Sequence, residues 1–421
     1  TLNETETNMT ENLIIFNARV VTPIGFSARK GEEMSQLQVI ENGTVEVTKG
    51  IITYVGENRG EDRDGYYQHY WHYNARGHCL LPGFVDSHTH VFGGERSEEF
   101  SWRLNGESYM SIMERGGGIA STVKATRQMN FLKLRSAAEG FLKRMSTMGV
   151  TTVEGKSGYG LDSENELKQL RVIRRLGGAC AQDIAATFLG AHAIPDEYAG
   201  NADGYIDFII ERVLPVVTEQ GLAGFCDVFL ESSVFNVPQS RKLLLAAQKL
   251  GLPSKVHADE IDPLGGSELA GEIGAISAEH LIATRDSGIE AMAKAKTTAC
   301  LLPQTSLYLN KPFARARDMI SAGVPVAIAT DFNPGSCPSL NLQLSMNLGY
   351  LRYRLFPEEV LTAVTLNAAC AIGKGDSVGS IEPGKLADIV LWNADELPML
   401  CYRMGSNQVK KVIKRGRVAV K

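Results

Sequence analysis

Nowhere in the 421 residues does an apolar run approach the roughly 20 residues needed to cross a bilayer, so no membrane-spanning helix is expected. Cysteine is sparse. The seven residues Cys79, Cys180, Cys226, Cys300, Cys337, Cys370 and Cys401 are odd in number, widely spaced and contain no C-x-x-C pair. They read as reduced, mostly buried thiols in a reducing compartment. The start lacks the basic-then-apolar pattern of a signal peptide: Thr1 to Asn12 is polar and acidic and reads as a tail outside the fold. Positive charge is not in excess either. The formal net charge is −5, and the short basic cluster from Lys410 to Arg417 is interleaved with Val412 and Ile413, as on a solvated strand face. Neither nucleic acid nor an anionic membrane is therefore an expected partner, and the expected location is cytoplasmic. Three motifs are missing as well. No G-K-[ST] follows Gly116-Gly117-Gly118, no G-x-G-x-x-G opens a helix after a strand, and no G-x-S-x-G elbow is present, which argues against phosphate loops and serine hydrolases.

What is present is an ordinary globular composition, 44% apolar and 22% charged. The chain is long enough for a barrel of about 250–350 residues and a smaller unit. Leu13 to Pro23, Gly43 to Val55, Ala387 to Trp392 and Val409 to Val420 are β-branched and partly alternating, the last reading as a hairpin around Arg415-Gly416. Strands of this style at both ends predict a small β-sandwich domain built from residues 1–79 and 376–421, with the Gly/Pro-rich Gly379 to Lys385 as the return into it. Glu57 to Gly77 reads as an exposed excursion of that domain. Between 80 and 375, LPGFVDSHTH, GVTTVEGKS, IAATFLGAH, FCDVFLES, PSKVHADE, AISAEHL, TTACLLPQT and VPVAIATDF alternate with helical stretches. Eight such strands predict an α/β fold, a TIM-type (β/α)8 barrel, whose strand ends (His88/His90, Lys156, His192, Glu231, His257, His280, Gln304, Asp331) converge on one mouth.

His88 and His90 are two residues apart, so on a strand they share a face and suit one metal ion. Alone, H-x-H reads equally well as a polar strand-loop junction. His257 and Asp331 also end predicted barrel strands, and the four together point to one divalent metal, zinc or iron. The metal would lower the pKa of a water towards about 7.

PGFVDSHTH, KVHADE, SAEH, ATDFNPGS and the closing SIEPGKLADIVLW resemble the amidohydrolase superfamily. HVFGGERSEEF, GGGIASTVKATR, GKSGYGLD, FLGAHAIP, VHADEI and TDFNPGSCPS resemble, more narrowly, its imidazolonepropionase family. The resemblance implies hydrolytic opening of a five-membered imidazolone ring to N-formimino-glutamate in histidine degradation. It also implies metal ligands at His88, His90, His257 and Asp331, and substrate contacts at Arg96, Tyr159, His192, Glu260, Asn333, Gly335 and Ser336. Proton transfer falls on Glu260, His280 and Asp331, and Gly116 to Gly118 becomes a loop closing over the site, although those glycines read nearly as well as a plain flexible loop. The partner expected is a small molecule with a carboxylate tail, which Arg96 can grip bidentately, and a homodimer is compatible with such a barrel. Other readings stay open. Arg96 also suits a surface ion pair with Glu98 or Glu99, and Asp259 rivals Glu260 on spacing. His280 suits either a second metal or a proton shuttle, although FCDVFLES carries no lysine to bridge two ions. A purine or cyclic-amidine hydrolase, or an inactive scaffold relative, would share much of the pattern.

Overall fold

A computed structural model describes residues 12–59, 68–92, 94, 96–107, 111–112 and 115–420. Most of the tail expected over 1–12, and the middle of the 57–77 excursion, lie outside the described residues. The eight central strands are β6 (Phe84–Asp86), β7 (Val150–Lys156), β8 (Asp183–Ala191), β9 (Phe225–Leu230), β10 (Lys255–Ala258), β11 (Ser277–His280), β12 (Thr298–Leu301) and β13 (Val326–Ile328). They follow β1 (Leu13–Pro23), β2 (Leu37–Thr48), β3 (Ile51–Glu57), β4 (Trp71–Asn74) and β5 (Cys79–Pro82) in the chain. All central neighbours are parallel and in sequence order, β6 to β13. Each matches one expected strand. The seam between first and last is bridged just beyond the strands, where Thr89 pairs with Phe332 and the His90 amide donates to the Phe332 carbonyl at 2.8 Å. The result is a nearly closed (β/α)8 barrel.

The strands are buried on both faces, as parallel strands covered by helices must be. The helix Phe131–Thr147 turns Leu134, Ala138, Leu142 and Met145 inward, and Ser163–Leu176 turns Leu167, Leu170, Ile173 and Leu176 inward. These follow the three-to-four-residue period of one apolar stripe, and each buried Leu or Ile adds about 1.5–3 kcal/mol. Asn130 and Asp162 cap the two helices by accepting from the Lys133 and Asn165 amides.

The second sheet joins both chain ends in the order β16-β15-β14-β5-β1-β2-β3, with β4 alongside β1; β14 is Ile389–Trp392, β15 Val409–Lys414 and β16 Arg417–Val420. Its core of Leu13, Ile15, Val45, Val47, Leu80, Ile389 and Ile413 fits the small β-sandwich expected there. Two details refine that expectation. Gly43 to Val55 is a hairpin, with Lys49 (φ +52°) and Gly50 (φ +78°) forming the tight turn between β2 and β3. The excursion also contains a strand, β4, paired parallel to β1 through Leu13 to Phe16. The chain leaves this sheet for the barrel at Gly83, where a Cβ would lie 2.2 Å from Thr151 Oγ1. No described helix is long and apolar enough to cross a membrane.

Candidate functional site

The barrel strands deliver their last residues to one mouth. His88 and His90 follow β6 with ring centroids 5.3 Å apart, and His257 on β10 brings its ring to 4.6 Å from His88 and 5.6 Å from His90. Asp331, just past β13, places Oδ1 3.4 Å from His88 Nε2 and 3.7 Å from His90 Nε2. Its other oxygen accepts from Thr305 Oγ1 at 2.5 Å, which aims Oδ1 at the imidazoles. His280 ends β11 with its ring 5.6 Å from His88 and 5.4 Å from His257. All five side chains are buried. Asp259, His280 and Asp331 have left-handed backbone (φ +51°, +68° and +57°), a conformation that costs about 1–3 kcal/mol per non-glycine residue and collects at functional sites.

The residues fit a divalent ion. One donor atom each from His88, His90 and His257 lies within 4.8 Å of the others, and the same holds for His88, His280 and Asp331. His88 Nε2 and His257 Nε2 are buried without a hydrogen-bond partner, an arrangement that costs about 1–3 kcal/mol per atom unless another group accepts them. On the far side of the rings, His88 Nδ1 lies 3.0 Å from Glu279 Oε2 and His257 Nδ1 lies 3.0 Å from Asp227 Oδ2. A proton on His88 Nδ1 leaves that ring's Nε2 lone pair for a metal, and the Asp227 carboxylate set against His257 Nδ1 favours the same tautomer there. Burial, with neighbouring positive charge, holds His88 and His90 well below the usual histidine range, so both are neutral as ligands must be. For His257, burial acts in the same direction but Asp227 outweighs it and the pKa rises.

Asp259 and Glu260 part company here. Asp259 accepts from the Gly266 and Ser267 amides and from the Ser267 and Thr284 hydroxyls, so it organises the start of the helix Gly266–Glu272. Glu260 instead faces His280, Oε2 to Nε2 3.7 Å. Burial raises Glu260 to about 7 and depresses His280 to about 4. Glu231, at the end of β9, holds the loop carrying Glu260 by accepting from the Ile261 and Asp262 amides. Gln304 is bound to Asn341 and Ser345.

The wall of the mouth collects the other expected residues. Tyr159 is buried, with its ring 5.7 Å from His90 and 5.2 Å from His192. His192 stacks on His90 at 5.1 Å, and its Nδ1 lies 3.0 Å from the Gly158 carbonyl, which accepts a hydrogen bond from a proton on Nδ1 and leaves Nε2 unprotonated. Burial, then His257 and Arg96 among its neighbours, lower His192 to about 3. Arg96 does meet Glu99, at 3.7 Å, yet both side chains are buried, so the surface ion pair is not what forms. Its guanidinium occupies the space a Cβ on Gly335 would need, 1.0 Å from Nη2. Asn333 is engaged within its own loop: its amide donates to the Asp331 carbonyl and Ser336 Oγ, and its oxygen accepts from the Gly335 and Ser336 amides. Asn333 thus shapes the backbone of Gly335 and Ser336 against Arg96.

Sequence reasoning missed three supports. Glu166 binds the Gly158, Gly160 and Leu161 amides, fixing the loop that carries Tyr159. Glu99 accepts from the Gly118 amide at 2.7 Å and meets Arg103. Behind the histidines lie the buried Glu154, Asp227, Lys255 and Glu279, joined by Lys156, which was expected at the mouth and is fully buried against Glu154 and Asp227 instead. Their signal was available: Glu154 and Lys156 on β7, and Lys255 and His257 on β10, are charged or ionisable residues two apart in buried strands, so each pair shares one strand face.

Known proteins resemble this chain along nearly its whole length. A model of the amidohydrolase family matches residues 245–419. An imidazolonepropionase of Bacteroides thetaiotaomicron is 66% identical over 411 residues, covering 97% of this chain and 99% of the relative. One of Clostridium tetani is 50% identical over 412 residues, 97% and 98% of the two chains. Among solved structures, a 5-methylcytosine deaminase from Klebsiella pneumoniae superposes with a TM-score of 0.73 at 18% identity, over 97% and 98% of the chains. The E. coli guanine deaminase gives 0.71 at 17%, over 97% and 99%. At such identity the structures speak for the fold alone, whereas the relatives run the length of the chain and leave one conclusion: this protein belongs to the imidazolonepropionase family of amidohydrolases.

Proposed function

We propose that this chain hydrolyses the five-membered ring of 4-imidazolone-5-propanoate to N-formimino-L-glutamate, a step of histidine degradation, at a single divalent ion held by His88, His90, His257 and Asp331. The carrying observation is one mouth in which that cluster stands beside a buried arginine shaped by Gly335. When bound, the ion supplies Lewis acidity, acidifying water and polarising the ring carbonyl. Nitrogen and oxygen donors of this kind serve zinc and iron alike, and elemental analysis of the purified protein decides between them.

The remaining work belongs to the chain. Arg96 pairs with the propionate, a planar fork against a carboxylate. Tyr159 and His192 form the wall on which the ring rests, with neutral His192 Nε2 turned to the substrate. Water adds to the ring carbonyl carbon and the ring C–N bond breaks. Two proton carriers stand together with opposite bias: His280 is neutral at pH 7 and accepts, and Glu260, titrating near 7, donates to the departing nitrogen. Asp331 shares the proton taken from water.

The test is an assay of metal-loaded protein on imidazolone propionate and on guanine, with Gly335→Ala alongside. We expect hydrolysis of the first substrate only. In the variant, the new methyl displaces the Arg96 guanidinium, a flexible end, so the fold persists while KM rises roughly 10- to 100-fold, about the loss of one charge-assisted pair. Turnover of guanine, or a G335A variant with parental KM, overturns the reading.

A further inference from the structure

The buried charges behind the site form a continuous chain from one proposed ligand to another. His257 Nδ1 lies 3.0 Å from Asp227 Oδ2, and the same oxygen accepts from Lys156 Nζ at 2.7 Å. Lys156 Nζ lies 2.9 Å from Glu154 Oε2, whose other oxygen is 3.2 Å from Lys255 Nζ. Lys255 Nζ lies 3.3 Å from Glu279 Oε1, and Glu279 Oε2 returns to His88 Nδ1 at 3.0 Å. Every lysine and carboxylate in this path has a fully buried side chain, in barrel positions usually filled by branched apolar residues.

Such a path is costly to bury and gives little stability over an apolar core, so its placement calls for another account. Both of its ends are imidazole Nδ1 atoms. Three carboxylates and two ammonium groups leave one negative charge, which with Asp331 balances a divalent ion. Thr187 and Ser277 hydroxyls add bonds of 2.6 and 2.5 Å to Glu154 and Glu279, fixing the carboxylates further.

We propose that Lys156 and Lys255 are positioning residues which, joined through Glu154, clamp Asp227 and Glu279 against His257 and His88 and so hold both Nε2 atoms in the geometry that binds the ion. This rests on the metal-centre reading above and goes beyond it, because it assigns a task to residues that touch neither ion nor substrate.

Removing one lysine alone changes the charge near the ion, so the informative variants conserve charge: Lys156→Met with Glu154→Gln, and Lys255→Met with Glu154→Gln. Each keeps both carboxylate–imidazole pairs and the net charge while cutting the path. The measurement is zinc affinity by chelator competition on metal-free protein, with the visible bands of the cobalt-loaded form as the geometric readout. We expect zinc affinity to fall 10- to 100-fold, the usual effect of losing support behind metal ligands, with altered cobalt bands. Parental zinc affinity together with a lowered Tm would make the lysines structural only and overturn the proposal. Should neither variant fold, nitrogen NMR of the zinc-loaded parent decides. Slowly exchanging, carboxylate-bonded Nδ1 protons on His88 and His257 support the clamp, and Nε2-protonated rings overturn it. A parent that takes up no zinc overturns the metal centre first and this inference with it.

Discussion

Glu260 and His280 show how environment, at the scale of single residues, biases neighbours 3.7 Å apart in opposite directions. Burial disfavours charge on both, which raises the carboxyl to about 7 and lowers the imidazole to about 4. For Glu260 the folded value lies above the unfolded one, near 4.5. Its contribution to stability is therefore complete below about pH 4.5 and is lost as pH rises through about 7. The full difference is about 3 kcal/mol at one pKa unit per 1.36 kcal/mol. Glutamine is neutral throughout, so metal-free Glu260→Gln gains on the parent by about that amount between pH 4 and pH 8 in urea unfolding, while kcat falls about 10²–10⁴-fold. An unchanged stability gap across that range contradicts the raised carboxyl, and near-parental kcat removes Glu260 from proton transfer. Sequence alone left Asp259 and Glu260 as rivals, because adjacent carboxylates differ only in which partners fold around them. The Ser267 and Thr284 hydroxyls that occupy Asp259 come from 8 and 25 residues away.

Elements were the most legible scale. The eight barrel strands declare themselves because each is a short apolar run ending in a polar residue, and the mouth follows from the polarity of parallel strands. The hairpin at Lys49-Gly50 and the strand Trp71–Asn74 were less visible, since the first lacks an Asn-Gly turn and the second is four residues paired far along the chain. The loop Ser157 to Asp162 shows what such reading leaves out. Its glycines announced a turn near the ligand, but not the carboxylate that holds it. Glu166 projects from the first turn of the helix Ser163–Leu176 and accepts from the Gly158, Gly160 and Leu161 amides. Replacing it by alanine strands three buried N–H groups at about 1–3 kcal/mol each. We expect Glu166→Ala to lose on the order of 3–5 kcal/mol, with KM raised through Tyr159 and His192 and metal content unchanged; Glu166→Gln, which keeps one acceptor oxygen, loses roughly half as much. Loss of metal together with loss of stability would place the loop's support in the metal centre instead.

At the scale of the whole molecule, the site and the closure of the barrel are the same piece of backbone. The strands β6 and β13 are three residues each, and their seam is completed by the Asp331 amide donating to the His88 carbonyl at 3.1 Å and the His90 amide donating to the Phe332 carbonyl at 2.8 Å. Asp86, buried at the same seam, accepts from the Thr330 amide and hydroxyl at 3.0 and 2.7 Å. An ion gripped by His88, His90 and Asp331, as proposed, would therefore staple the first strand to the last. Ligand linkage adds about 4 kcal/mol to unfolding at a free metal concentration a thousand times Kd, so chelation lowers Tm by an amount that grows with metal affinity. The staple predicts where that loss is felt. In hydrogen exchange of the metal-free protein, the amides of Asp331 and His90 open well before those of Val45 and Ile389, which lie in the sheet of the chain termini. A uniform loss of protection, equal in the barrel seam and the terminal sheet, would mean that the ion stabilises the fold without holding the barrel shut. Protection lost first at the seam ties the reaction centre to closure of the barrel through three residues, His88, His90 and Asp331, that serve both.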